Sequence, residues 1–165
     1  MPVPAEGDPV GLESWILNEA RTVFDEVYKA FCSFEYHRGM SKLTEFLNGD
    51  LNSIYFNAIK DCLYCDPFDG ERRNSVVRVL STILESLLGL IAPLFTYTAD
   101  EVFSHAPDWF KGGRKDIFDL VYTPIPEGSK PAFDAGYYRQ VLTAFHAVFD
   151  GLKTAGSVRD TLEVV

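Results

Sequence analysis

From Arg72 to Ile91 apolar residues recur every third or fourth position, at Val76, Leu80, Ile83, Leu84, Leu87 and Ile91, and Pro93 closes the run. That spacing predicts a helix with one apolar face. Pro93 ends or bends it, because proline has no amide donor and disfavours helix at the preceding residue. A stripe this long has to be covered by other helices. This should therefore be the most buried helix, with Leu87 fully buried and Arg78 and Glu85 on the far side.

The covering helices are legible on both sides of it. Leu12, Ile16, Ala20, Val23, Val27 and Phe31, widened by Trp15, Phe24 and Tyr28, predict a long first helix. After a turn near Ser33-Phe34-Glu35, Met40, Leu43, Phe46 and Leu47 mark a second. Asn48-Gly49 should interrupt or kink it, and Asp50 is a candidate N-cap for a third helix over 50–66. Thr98 and Glu101 have capping-box spacing for a short helix through Phe103. Gly112-Gly113, Pro124, Pro126 and Gly128 predict a loop over 106–130, with a short extended piece from Ile117 to Tyr122. From about Ala132, the residues Phe133, Tyr137, Val141, Phe145, Val148, Phe149 and Leu152 give a last long helix. The fold class is all-α, a bundle of about five helices over 12–155, preceded by a Pro- and Gly-rich lead-in over 1–11.

Composition limits the function. The 165 residues are 47% hydrophobic and 14% aromatic, enough for one core. No run of 18 apolar residues and no basic or apolar leader occurs, so neither a membrane nor export is expected. Three cysteines suit a reducing cytoplasm better than a disulfide framework. Cys62 and Cys65 form a CxxC, but no second pair completes a zinc site; both sulfurs are expected on the buried face as structural cysteines. No glycine-rich phosphate loop, nucleophile with a base, or defensible carboxylate pair is present, and His37, His105 and His146 are isolated. No catalytic and no metal-binding residue is assigned.

The net charge of −9 counts against nucleic-acid binding, which normally leaves a basic footprint. The outcome depends on where the 15 basic residues sit. At 3.6 residues per turn, Leu51, Ile54, Tyr55, Ala58, Cys62 and Cys65 fall on one face of the 50–66 helix, and Ser53, Asn57, Lys60 and Tyr64 on the other. Lys60 and Tyr64 thus stand side by side at i and i+4, a pairing suited to a phosphate and a base. A solvated lysine beside a half-buried tyrosine has the same spacing. Arg72 and Arg73 fall in the first turn of the following helix, where the helix dipole disfavours cations by about 0.3–1 kcal/mol. Either they pair with Asp69 or Glu71, or they are held for an anionic partner. Lys60, Arg72, Arg73 and Arg78 are expected on one exposed surface, since a short turn joins the two helices.

Ile59-Lys60-Asp61, Leu63-Tyr64, Arg72-Arg73, Ile91-Ala92-Pro93 and Thr98-Ala99-Asp100-Glu101-Val102 occur in an order and spacing that resembles the helical anticodon-binding domain of the isoleucyl-tRNA synthetases, class I enzymes. The resemblance covers most of residues 12–165. Two positions depart from the family pattern. Cys62 stands where arginine is usual, which removes a possible phosphate ligand, and Phe103 stands where tryptophan is usual, keeping an apolar anchor.

The resemblance implies recognition of isoleucine tRNA through its anticodon stem and loop. Lys60, Arg72, Arg73 and Arg78 would hold phosphates and Tyr64 would stack on an unpaired base. The partner would be RNA and not DNA. No cofactor belongs to this stretch; ATP and magnesium belong to the parent enzyme, whose catalytic and C-terminal domains lie outside the sequence. Residues 156–165 would begin the connection to the latter. Gly39-Met40-Ser41-Lys42 resembles the ATP-binding KMSKS loop of such enzymes only superficially, lacking its first lysine and final serine. Two other readings stay open: the equivalent domain of a valyl- or leucyl-tRNA synthetase, and an acidic helical protein-interaction module.

Overall fold

The structure, a computed structural model, describes residues 11–127 and 135–154. They belong to two compact units, the first running to Pro131 and the second starting at Ala132. The regular structure among them is helical. The lead-in to residue 10, the expected start of the last helix at Ala132 and Phe133, and the 156–165 stretch lie outside the described residues.

Helix α1 spans Leu12–Cys32 and buries Trp15, Ile16, Ala20, Val23, Phe24, Val27 and Ala30. It closes with two backbone bonds, from Phe34 N–H to Phe31 O at 3.0 Å and from Glu35 N–H to Ala30 O at 2.8 Å. This pattern places one left-handed residue after the helix, usually glycine. Here it is Phe34, with φ 61°. Helix α2, Tyr36–Phe46, then returns against α1. A Cβ on Gly39 would lie 2.6 Å from the Phe31 ring, and Phe24 meets Phe46 edge-on at 5.7 Å.

Contrary to expectation, Asn48-Gly49 does not break the chain and Asp50 does not cap a new helix. α2 runs through a π-helical segment, Leu47–Phe56, straight into α3, Asn57–Cys65. The buried row along this rod is Leu43, Phe46, Leu51, Tyr55, Ile59 and Cys62. Its step from Phe46 to Leu51 is too long for an α-turn and suits the i→i+5 bonding of a π-turn. Ser53 Oγ donates to the carbonyl of Asn48, five residues back, at 2.7 Å. The wider turn uses fewer degrees per residue, so α3 is rotated from the position that uniform α-helical spacing predicts. Ile59 turns inward, while Ala58 and Cys65 are exposed.

Helix α4, Glu71–Ile91, is covered on two sides. Val76, Val79, Ile83 and Leu90 are buried along one side of it, and α1 and α3 both pack on α4. Leu88 belongs to a second cluster with Ala92, Ala99, Phe103, Phe110, Ile117 and Leu120. Leu80, Leu84, Leu87 and Ile91 lie between these two directions on the helical wheel and are half-buried, so Leu87 is not fully buried as expected. Arg78 and Glu85 are also half-buried, with Glu85 paired to Arg114 at 2.6 Å. By length and composition α4 would suffice to cross a membrane. Its packing against α1, α3 and α5 makes it the core helix of the first unit, and among its residues only Glu71 and Arg72 are exposed.

α4 stops before Pro93, and helix α5 covers Thr96–His105, starting two residues ahead of the expected capping box. Leu94 and Phe95 both donate to Ile91 O, which carries the chain directly from one helix into the next. Thr98 is already helical, and no side chain caps α5. The following loop holds a short helix α6, Asp108–Lys111, and a 3-10 turn at Ile117–Asp119 where an extended piece was expected. Asp116 Oδ1 accepts from Phe118 N–H at 2.8 Å and so sets that turn.

Residues 120–127 then form an irregular strap that buries Leu120 and Ile125. Ser86 Oγ donates to Thr123 O on the strap. Tyr122 stacks on Tyr28 at 4.8 Å and donates to Asp25 Oδ1 at 3.3 Å, tying the strap to α1. In the second unit, helix α7 spans Ala135–Thr154, with Phe145 and Phe149 stacked at 6.3 Å.

Gly89 supports a test of the strap. A Cβ there would meet Tyr122 Cα at 2.8 Å and Tyr122 N at 3.0 Å, and these are backbone atoms that cannot swing aside. Glycine to alanine inside a helix ordinarily stabilises by about 1 kcal/mol. Gly89→Ala should instead destabilise by about 1–3 kcal/mol through overpacking. An unchanged or higher midpoint in thermal unfolding would contradict this placement of the strap.

Candidate nucleic-acid interface

The candidate interface comprises the outer side of α3 and the corner leading to α4. Once the π-turn commits Tyr55, Ile59 and Cys62 to the core, the opposite side of the rod must face water. Ser53, Asn57, Lys60 and Tyr64 are all exposed, Tyr64 at 86%. Lys60 and Tyr64 make no side-chain hydrogen bond or ion pair among the described residues, so both remain available to a partner.

The corner runs through Asp66, Pro67, Phe68, Asp69 and Gly70, with Gly70 N–H bonded to Pro67 O at 2.9 Å. Arg72 follows in the first turn of α4. Its guanidinium lies 3.8 Å from Asp66 Oδ2, and its side chain is 68% exposed. Asp66, not the expected Asp69 or Glu71, is thus its carboxylate partner. A loose, solvated pair of this kind contributes about 0–1 kcal/mol, leaving the guanidinium usable by a phosphate.

Arg73 is held differently. Its Nε–H donates to Leu63 O and its Nη1 to Phe68 O, each at 3.4 Å, and its guanidinium lies 4.6 Å from the centre of the Phe68 ring. It satisfies a carbonyl near the end of α3 and clips the corner together. Arg78 does not join this group. By helix geometry it stands about 9 Å along α4 from Arg72 and about 120° around it. It is half-buried and already engaged by other groups. Arg72 and Arg73 both reach the corner at the end of α3, Lys60 and Tyr64 are exposed along α3 itself, and Arg78 is set apart from the other two arginines by its position along and around α4.

Local charge differs from the whole. Between residues 60 and 78, Lys60, Arg72, Arg73 and Arg78 balance Asp61, Asp66, Asp69 and Glu71, in a chain of net charge −9. The stretch is neutral, and its most exposed arginine projects from a helix N-terminus, where backbone amides add positive potential.

Cys62 lies beneath the corner. Burial pushes its thiol up from the ordinary 9.0, and the hydrogen bond and charge of Asp66 add to the rise while Arg72 opposes it. Cys65 is exposed at the last residue of α3, so the two sulfurs of the CxxC do not share the buried face as expected. No group of three or more metal-ligating side chains occurs among the described residues. Gly39-Met40-Ser41-Lys42 lies within α2, with Lys42 paired to Glu26 at 3.1 Å. Phe56, exposed at 42% one turn before Lys60, was not singled out from the sequence. Its four-residue spacing from Lys60 is the signal that would have found it.

Residues 13–164 match the family described as the anticodon-binding domain of tRNA ligase. The chain belongs to that family. The isoleucine–tRNA ligase of Sulfurimonas denitrificans is 41% identical over 154 residues, covering 93% of this chain and 17% of the relative. That of Campylobacter curvus is 43% identical over 158 residues, covering 93% and 16%. That of Nautilia profundicola is 34% identical over 157 residues, covering 95% and 17%. The chain spans about a sixth of the length of these relatives. Within this anticodon-binding domain, α3 exposes Lys60 and Tyr64, and the first turn of α4 exposes Arg72.

The thiols provide a direct check on α3. At about pH 8 a thiol with a raised pKa holds little thiolate, the reactive form. Iodoacetamide should therefore label Cys65 in the native protein and reach Cys62 only after denaturant is added. Equal native rates at the two positions would show that α3 is turned differently from this description.

Proposed function

We propose that this chain binds the anticodon stem and loop of isoleucine tRNA, as part of a cytoplasmic ligase that joins isoleucine to that tRNA using ATP and magnesium. The family match over 13–164 together with the exposed Lys60, Tyr64 and Arg72 carries this reading. The relatives named above support isoleucine over valine or leucine as the amino acid. Phosphate contacts from Lys60 and Arg72 would set the position of the hairpin, and Tyr64 would stack on an unpaired base. Arg73 would act chiefly by holding the corner in shape. Activation of the amino acid would take place elsewhere in the ligase. Exposed Lys60 and Tyr64 on α3, followed by exposed Arg72 at the next corner, favour RNA over the acidic interaction module.

The test belongs on the full-length protein. Lys60→Ala and Arg72→Ala should each weaken isoleucine tRNA binding and reduce the log-affinity against log-salt slope by about 1, as expected when one phosphate is no longer neutralised. Isoleucine activation, followed without tRNA, should be unaffected, while transfer to tRNA falls through the weaker binding. Loss of activation to the same degree would point to misfolding. An unchanged slope and unchanged transfer in both variants would refute the assignment.

A further inference from the structure

Phe56 is exposed one turn before Lys60, and Tyr64 one turn after it, so the three side chains form an i, i+4, i+8 ridge on the rod. Among the described residues, neither Phe56 nor Tyr64 packs against another aromatic ring. Each step along the ridge rises about 6 Å, which puts the two rings about 12 Å apart along the axis with the ammonium of Lys60 between them. Stacked bases repeat at only about 3.4 Å per strand. Two rings at this separation do not match stacked neighbours. They match nucleotides splayed out of a loop, with a sugar–phosphate link passing the lysine.

The flanking residues suit the same ligand. Asn52, Ser53 and Asn57 are exposed beside the ridge, and Asp61 is the one exposed carboxylate between residues 48 and 64. Asn57 Nδ2 donates to Ser53 O at 3.0 Å, which orients its amide and leaves Oδ1 as an acceptor. The π segment ends at Phe56, and the rotation it gives α3 turns Ile59 inward while Phe56 stays exposed in line with Lys60 and Tyr64.

We propose that Phe56, Lys60 and Tyr64 form a ladder that stacks two unpaired bases of an RNA loop on the two rings, on either side of one phosphate held by the lysine. The ladder deepens the proposed function and rests on it. It assigns Phe56 as a second stacking platform and restricts the bound part of the RNA to single-stranded nucleotides. Phe56 acts through its π face, so its contribution carries no salt dependence, unlike that of Lys60.

In the full-length protein, with isoleucine tRNA as the probe, Phe56→Leu keeps an apolar side chain but removes the π face. It should weaken binding about 5- to 100-fold with an unchanged salt slope and an unchanged thermal midpoint. Phe56→Trp should restore affinity, and its fluorescence should be quenched on adding the tRNA. Wild-type affinity for Phe56→Leu, with Lys60→Ala still lowering the salt slope, would overturn the ladder and leave the proposed function standing. Wild-type behaviour of Phe56→Leu and Lys60→Ala would overturn the ladder, and with Arg72→Ala unchanged as well would overturn the proposed function too.

Discussion

The five-residue step from Phe46 to Leu51 in the buried row governs how everything after it is oriented. An α-turn cannot keep both residues on one face, and a break at Asn48-Gly49 would leave free backbone groups at two new helix ends. The π-turn resolves the conflict by widening the helix, so α2, the π segment and α3 act as one rod. Its rotation commits Tyr55, Ile59 and Cys62 to the core. The same rotation presents Phe56, Lys60 and Tyr64 to solvent. Packing on one side of the rod thereby decides which chemistry appears on the other.

α4 carries this orientation through the rest of the first unit. Its first turn holds Arg72 and Arg73 against the end of α3, and its last turns lie under the strap at Gly89 and within the cluster around Leu88. The two ends are about 30 Å apart along one rigid element. The arginine corner is exposed and polar, whereas the other end is fixed by Ser86 to Thr123, Tyr122 to Asp25, and the Tyr28–Tyr122 stack. Arg72 and Arg73 sit next to each other in sequence but do different work, because only Arg73 reaches the open carbonyls of the corner.

The all-α class, the long helices α1 and α4 and the outward face of α3 were legible because periodicity records burial directly. Register within the rod was not. A uniform 100° per residue placed Ala58 and Cys65 inside, since nothing local in the sequence announces a π-turn; Asn48-Gly49 reads equally well as a break. Leu87 was misplaced for a different reason. A single stripe was assumed, whereas α4 is covered from two directions and Leu87 falls between them. At the candidate interface, the exposure of Lys60, Tyr64 and Arg72 could be anticipated from helical spacing. The role of Arg73 depends on where Leu63 O and Phe68 O lie in space, which no spacing rule supplies. Arg78 was grouped with the others by sequence proximity, although six residues along a helix turn it to another side.

The most direct test of the account is to ask which lysines an RNA covers. In the full-length protein, acetylation rates of individual lysines can be compared with and without saturating isoleucine tRNA. Lys60 should be strongly protected, because it would hold a phosphate, while Lys115, exposed in the loop beyond α6, should react at the same rate in both conditions. Bound tRNA that leaves the Lys60 rate unchanged would contradict the placement of the RNA on this face.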